Sequence, residues 1–181
     1  NQQLIRVDNE DNTPISKDAS NYILSTFKRE LDKNDIVILS DYNKGVINKN
    51  TAQKIIKICN KKNKPVIVDP KNKNLSIYQG ADLITPNKKE ASEITNMQLY
   101  TDKDMELCAK KIIHNYNIKA VMITRGEKGL SYINKSESIH SPTQTKEVYD
   151  VSGAGDTVLA IMSLTIVLNI NIRKSLYLAN I

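Results

Sequence analysis

The sequence holds no tryptophan, one phenylalanine, two histidines and two cysteines among 181 residues. Each shortage narrows the field. With no Trp and a single Phe, the chain offers few flat apolar faces on which unpaired bases stack, which counts against a single-strand nucleic-acid binder. His114 and His140 have no partner at metal-ligand spacing, and with only these two a Ser–His–Asp or Cys–His constellation cannot be argued. Cys59 and Cys108 each fall inside an apolar helical pattern and read as reduced, buried thiols. No stretch approaches the roughly 20 consecutive apolar residues of a membrane-spanning helix. The longest apolar run, Val158 to Val167, is interrupted by Ser163 and Thr165. Glycine and proline are sparse, at 6 and 5, and no linker, repeat or low-complexity tract is visible.

What is present is the composition of a soluble globular chain, 40% hydrophobic and 25% charged. The length suits one domain with a sizeable core. The net charge of +6 is carried mostly by lysines scattered over helix faces, as in Lys54, Lys57, Lys61, Lys62 and Lys64. Such scatter reads as solvated surface, so no nucleic-acid or membrane partner is expected. The chain opens on Asn1 in a polar stretch without a signal peptide, and closes inside a helical pattern. It is therefore expected to be a piece of a longer, cytoplasmic polypeptide.

Periodicity orders the elements. Ile23, Leu24, Phe27 and Leu31 recur at helical spacing and predict an amphipathic helix over about 19–32. Apolar runs of strand length follow at 35–39, 65–68, 81–85 and 120–124, each of the kind buried on both faces. Helical patterns lie between them, around Ala52 to Cys59, 88–95 and 102–115. Residues 130–133 and 138–140 predict a hairpin, followed by a helix over 154–168 and another from about 172. Strands alternating with helices imply right-handed crossovers and a mainly parallel sheet covered on both faces. In such sheets functional loops lie at the carboxyl ends of the strands. That rim receives Ser40–Gly45, Asp69-Pro-Lys71, Pro86–Glu90 and Arg125–Gly129.

The most informative segment is Asp150-Val-Ser-Gly-Ala-Gly-Asp156 running into an apolar helix. Small residues Gly153, Ala154 and Gly155 let a ligand approach the backbone. The first amides of a helix lack intrahelical partners and carry the positive end of its dipole. Such a terminus holds phosphate or a developing phosphoryl oxyanion. A carboxylate there, Asp156, can take the proton of an attacking hydroxyl. The bland alternative is an Asp in a capped first turn behind a glycine turn. The spacing matches neither a phosphate-binding Walker loop nor the dinucleotide fingerprint.

These residues resemble the C-terminal signature of the ribokinase-like (PfkB) carbohydrate kinases. Asn87-Lys-Lys-Glu90 is similar to that family's Asn-x-x-Glu motif, and Thr124-Arg-Gly-Glu-Lys-Gly129 to its Thr-x-Gly-x-x-Gly nucleotide loop. The resemblance covers essentially residues 1–181. It implies a three-layer α/β/α fold, here an incomplete domain: its nucleotide-binding C-terminal part, without the early Gly-Gly sugar motif and most of the lid. Segments 1–8, 39–45, 68–71 and 147–150 resemble the branch that phosphorylates heptose 7-phosphate for lipopolysaccharide-core synthesis. What that implies is transfer from ATP, with Mg²⁺, to the anomeric hydroxyl of D-glycero-β-D-manno-heptose 7-phosphate, by a full-length protein that is a homodimer. No His-x-Gly-His nucleotidyltransferase segment is present. Ile161-Met162 is bulkier than the signature prefers.

Carried onto this chain, the resemblance makes Asp156 the catalytic base, with Gly153, Ala154 and Gly155 as anion hole and Asp150 positioning the turn. Asn87, Lys88, Lys89, Glu90, Thr124 and Gly126 would line the nucleotide, Glu90 organising Mg²⁺ through water. Asn87 and Glu90 also fit a plain capping box, and Gly126 a plain turn. Asp41, Lys44 and Lys71 fall on the substrate side, although Asp41 and Lys44 equally fit a cap or surface role. The rivals are another sugar, sugar-phosphate or nucleoside kinase of the family, and a catalytically incompetent nucleotide-binding or dimerising fragment. A nucleic-acid module is the most distant.

Overall fold

The computed structural model describes Ile5, Val7, residues 12–143 and residues 153–180. Six strands form one sheet in chain order: β1 (Val37–Ser40), β2 (Val66–Asp69), β3 (Leu83–Ile84), β4 (Ala120–Thr124), β5 (Leu130–Asn134) and β6 (Ser138–Ser141). The first four pair in parallel and the last two antiparallel. The helices are α1 (Lys17–Glu30), α2 (Lys49–Lys61), α3 (Lys88–Thr95), α4 (Asp102–Tyr116), α5 (Ala154–Val167) and α6 (Ile172–Ala179).

Alternation along each strand divides the core in two. Val66, Val68, Ile84, Val121, Ile123 and Ile133 point to one face, where they pack with Leu24, Ile56, Ala91, Met105 and Cys108 of α1 to α4. Their neighbours Ile67, Leu83, Ala120, Met122 and Leu130 point the other way, against Val158, Leu159, Met162 and Leu176 of α5 and α6. Two-sided burial explains why these strands read as unbroken apolar runs. The result is three layers, helix on sheet on helix, as the sequence led one to expect. Met162 is fully buried in the second cluster and Ile161 packs against it, so the bulkier pair behind the glycine turn is absorbed by that core.

Local chemistry sets the helix starts. Ser16, Asn48, Asn87, Thr101 and Asn171 each accept a first-turn amide through the side chain. Asn134 shapes the hairpin turn by accepting from the amides of Ser136 and Glu137. Two details depart from the sequence reading. The third strand shortens to two residues, and a 3-10 helix, Leu75–Tyr78, closes the crossover from β2 to β3. Among the described residues no helix is long and apolar enough to cross a membrane.

Candidate active site

The parallel strands end on one rim, and the polar loops follow from that. Ser40 at the end of β1 lies beside Asp69 at the end of β2. Beyond β3, Asn87 forms a parallel bridge with Thr124 at the end of β4. The Asn-x-x-Glu segment and the Thr-x-Gly loop are thus neighbours although 37 positions separate Asn87 from Thr124.

Asn87 and Glu90 form a reciprocal cap. Asn87 Oδ1 accepts the Glu90 amide at 2.9 Å, and Glu90 Oε2 accepts the Asn87 amide at 2.8 Å. The other Glu90 oxygen accepts from Lys71 Nζ at 2.7 Å, and Lys71 stands 3.9 Å from Asp69 Oδ2. Burial alone would lower the Lys71 pKa, but the bond to Glu90 and the charges of Asp69 and Glu90 outweigh it, so the net shift is upward. Burial pushes the Asp69 carboxyl up; Lys71 opposes, while Glu90, Asp156 and Asp41 add to the rise. The Asp69 carboxyl thus feels three other carboxylates as well as Lys71. Asp156, more than 60 positions further along the chain, is among them.

Asp41 is buried at 2% exposure, with Oδ1 accepting the Asn43 amide at 2.7 Å and Oδ2 accepting the hydroxyl of buried Tyr78. Burial and that bond together push the Tyr78 hydroxyl far above its usual range. Each oxygen of Asp41 accepts one hydrogen bond, and these two bonds shape the loop after β1. Lys44 is half-buried in that loop. Lys88 and Lys89 line a surface groove of about 310 Å³ with Ser92, Gln98, Leu99 and Tyr100, and Lys88 Nζ lies 5.9 Å from the Tyr100 ring centre.

Helix α5 starts differently from the others. Its cap is Gly153, in the left-handed region at φ +76°, with no side chain to accept the first amides. Residues 153–157 are exposed, and among the described residues a Cβ built at Gly153 or Gly155 meets nothing within 4 Å. Gly126 is equally open, with φ +61°. Gly129 is the opposite case: a Cβ there would stand 2.1 Å from the Ser141 carbonyl oxygen. Asp150 and the segments 1–4 and 147–150 lie outside the described residues, as do Arg6 and Asp8.

Among the described residues no group of three or more His, Cys, Asp or Glu is arranged to hold a metal. Mg²⁺ takes few protein carboxylates and keeps several waters. Glu90, with both oxygens hydrogen-bonded, fits a metal held through water and by nucleotide phosphates, and does not fit a protein cage.

The pfkB family carbohydrate kinase model matches residues 1–181. The chain belongs to the pfkB family of carbohydrate kinases. Among the relatives of this pfkB chain, the Bifunctional protein HldE of Helicobacter pylori (strain Shi470) is 37% identical over 180 residues. That match covers 99% of this chain and 39% of the relative. The Bifunctional protein HldE of Mesorhizobium japonicum is 40% identical over 166 residues, covering 92% of this chain and 34% of the relative. The pfkB chain thus spans well under half of these curated relatives. Among solved structures, phosphofructokinase-2 from Escherichia coli in complex with potassium superposes with a TM-score of 0.78 at 19% identity, over 92% of this chain and 54% of that one. Arabidopsis thaliana ribokinase complexed with ribose and ATP gives 0.72 at 22%, over 92% and 51%. The fold is that of the ribokinase-like kinases.

Three residues with work at this pfkB rim were not singled out from sequence. Asp69 stood in a quoted motif whose lysine drew the attention. Tyr78 and Arg125 act through partners 37 and 23 positions away, which no local pattern reveals.

Proposed function

We propose that this chain is the nucleotide-binding part of a kinase that transfers the γ-phosphoryl of ATP to the anomeric hydroxyl of D-glycero-β-D-manno-heptose 7-phosphate. The observation that carries the reading is the open glycine turn at the start of α5, with Asp156 exposed in the first turn of that helix. The choice of sugar is supported by the segments around Asp41 and Asp69-Pro-Lys71, which resemble the heptose-phosphate branch.

In this reading the acceptor hydroxyl lies beside Asp156, whose carboxylate takes its proton as the oxygen attacks phosphorus. The amides of residues 153–156 point at the transferring group and receive charge from its equatorial oxygens, aided by the dipole of α5. Lys71 stands between Glu90 and the acceptor side, where an ammonium offsets the approach of two anions. Asn87 and Thr124, bridged to each other, and the exposed amide of Gly126 line the phosphate path. Glu90 would hold Mg²⁺ through a water, and the ion would supply positive charge against the nucleotide phosphates. Little covalent chemistry is asked of the protein, so rate comes from position and electrostatics.

The test is phosphorus NMR on the polypeptide that carries this segment at its natural length, given ATP, Mg²⁺ and, separately, heptose 7-phosphate, fructose 6-phosphate, ribose and a nucleoside. A new anomeric phosphate with the heptose alone is expected. Faster turnover of any other acceptor would replace the substrate, and no turnover of any acceptor would remove the kinase reading.

A further inference from the structure

Arg125 lies between two residues of the nucleotide loop, Thr124 and Gly126, yet its side chain is only 9% exposed. Burying a guanidinium is costly unless it is paired. Its Nη1 donates to Asp102 Oδ1 at 2.5 Å, while its buried Nε has no hydrogen-bond partner among the described residues. Asp102 is the first residue of α4, where the helix dipole favours an acid. The same carboxylate lies 3.8 Å from His140 Nδ1 on β6, and that nitrogen shares a hydrogen bond with Ser131 Oγ at 2.9 Å.

The loop is also fixed at its far end. The Arg125 amide donates to the Gly129 carbonyl at 2.9 Å, closing the turn, and the Gly129 amide donates to the Gly126 carbonyl at 2.9 Å. Gly129 is wedged against the backbone of Ser141, Pro142 and Thr143. Between these anchors Gly126 is open on its Cβ side. The loop thus has two fixed ends and a free tip, as expected of a preformed cradle.

We propose that Arg125 is a positioning residue, whose ion pair with Asp102 holds the 124–129 loop in the shape that receives nucleotide phosphate. The nucleotide part rests on the kinase reading above; the loop-holding part does not. Asp102 is 58% exposed at the side chain, so Asp102→Asn removes the pair without emptying a core site.

Two readouts on the natural-length polypeptide test the pair. Hydrogen exchange at the Lys128 and Gly129 amides is expected to quicken about tenfold in Asp102→Asn, since local opening governs it. The KM for ATP is expected to rise by about tenfold, the size of a lost charge-assisted hydrogen bond. The kcat and the sugar KM stay within about twofold over the same change, and Asp102→Glu restores the ATP KM. Unchanged exchange at both amides overturns the loop-holding role. Faster exchange with an unchanged ATP KM overturns its link to nucleotide, as does a parallel loss in kcat and both KM values. If the unmutated polypeptide phosphorylates no sugar, the kinase reading fails, and exchange still decides whether Arg125 holds the loop.

Discussion

Glu90 does two jobs that one pair of substitutions can separate. Its Oε2 accepts the Asn87 amide at 2.8 Å and completes the cap of α3, while Oε1 accepts from Lys71 at 2.7 Å. A cap is worth about 1 kcal/mol. The ion pair joins side chains that are 39% and 21% exposed, so solvent screening holds it to about 0.5–1 kcal/mol. Glu90→Ala loses both, about 1.5–2 kcal/mol, which for a domain of this size is a Tm drop of about 3–8 °C. Glu90→Gln keeps an amide oxygen for the cap and loses only the charge, a drop of about 1–4 °C. Both variants lose the carboxylate assigned to the metal-bound water, and both should lower kcat by about 10- to 100-fold. Calorimetric Tm and steady-state kinetics, titrated with Mg²⁺, read the two jobs apart. A Gln variant that is as stable as predicted yet turns over like the parent would show that Glu90 is a helix cap and nothing more.

Other consequences follow from single contacts. Tyr78→Phe leaves buried Asp41 with one donor fewer, which should cost about 1–3 kcal/mol in chemical denaturation; an unshifted midpoint would contradict the pairing. Gly129→Ala drives a Cβ to 2.1 Å from a carbonyl oxygen at φ +80° and should cost more than Gly126→Ala. The latter meets only the left-handed backbone penalty of about 1–2 kcal/mol, so equal Tm losses would refute the distinction. The Asp69 carboxyl is raised chiefly by burial, so the folded state keeps that proton to a higher pH than the unfolded chain. Its stabilising share is full below the unfolded-state pKa, about 3.9, and is lost as pH rises through the folded value. The Tm of Asp69→Asn relative to the parent should therefore climb as pH rises above about 4; a flat difference would sink the assignment.

Much of the architecture was legible because period and length are local properties. The two-faced burial of Val66, Ile67 and Val68 is written in their unbroken apolar run, and the hairpin is written around Asn134. The 3-10 helix at 75–78 was not legible, since four residues carry no period. The rim loops could be placed from strand ends alone, and the bridge between Asn87 and Thr124 brings two of the quoted motifs together. What side chains do within that rim is settled by distant partners. Asp41 reads from sequence as a hydroxyl acceptor or surface cap, but Tyr78, 37 positions away, takes one of its oxygens. Lys88 reads as an ATP-lining residue, and its contact with the Tyr100 ring, twelve positions on, carries no sequence signal. Arg125 looks like the free position of a motif until Asp102 is seen beneath it.

The proposed mechanism stands on Asp156 as the base beside the open turn at residues 153–155. The most direct measurement is single-turnover phosphoryl transfer by Asp156→Asn in the natural-length polypeptide, with ATP affinity measured on the same sample. A rate lower by about 10²- to 10⁴-fold is expected, the usual share of general-base catalysis, with ATP affinity within about threefold of the parent, since the amides that hold phosphate are unchanged. A variant that binds ATP normally and transfers phosphate at the parent rate would contradict that mechanism.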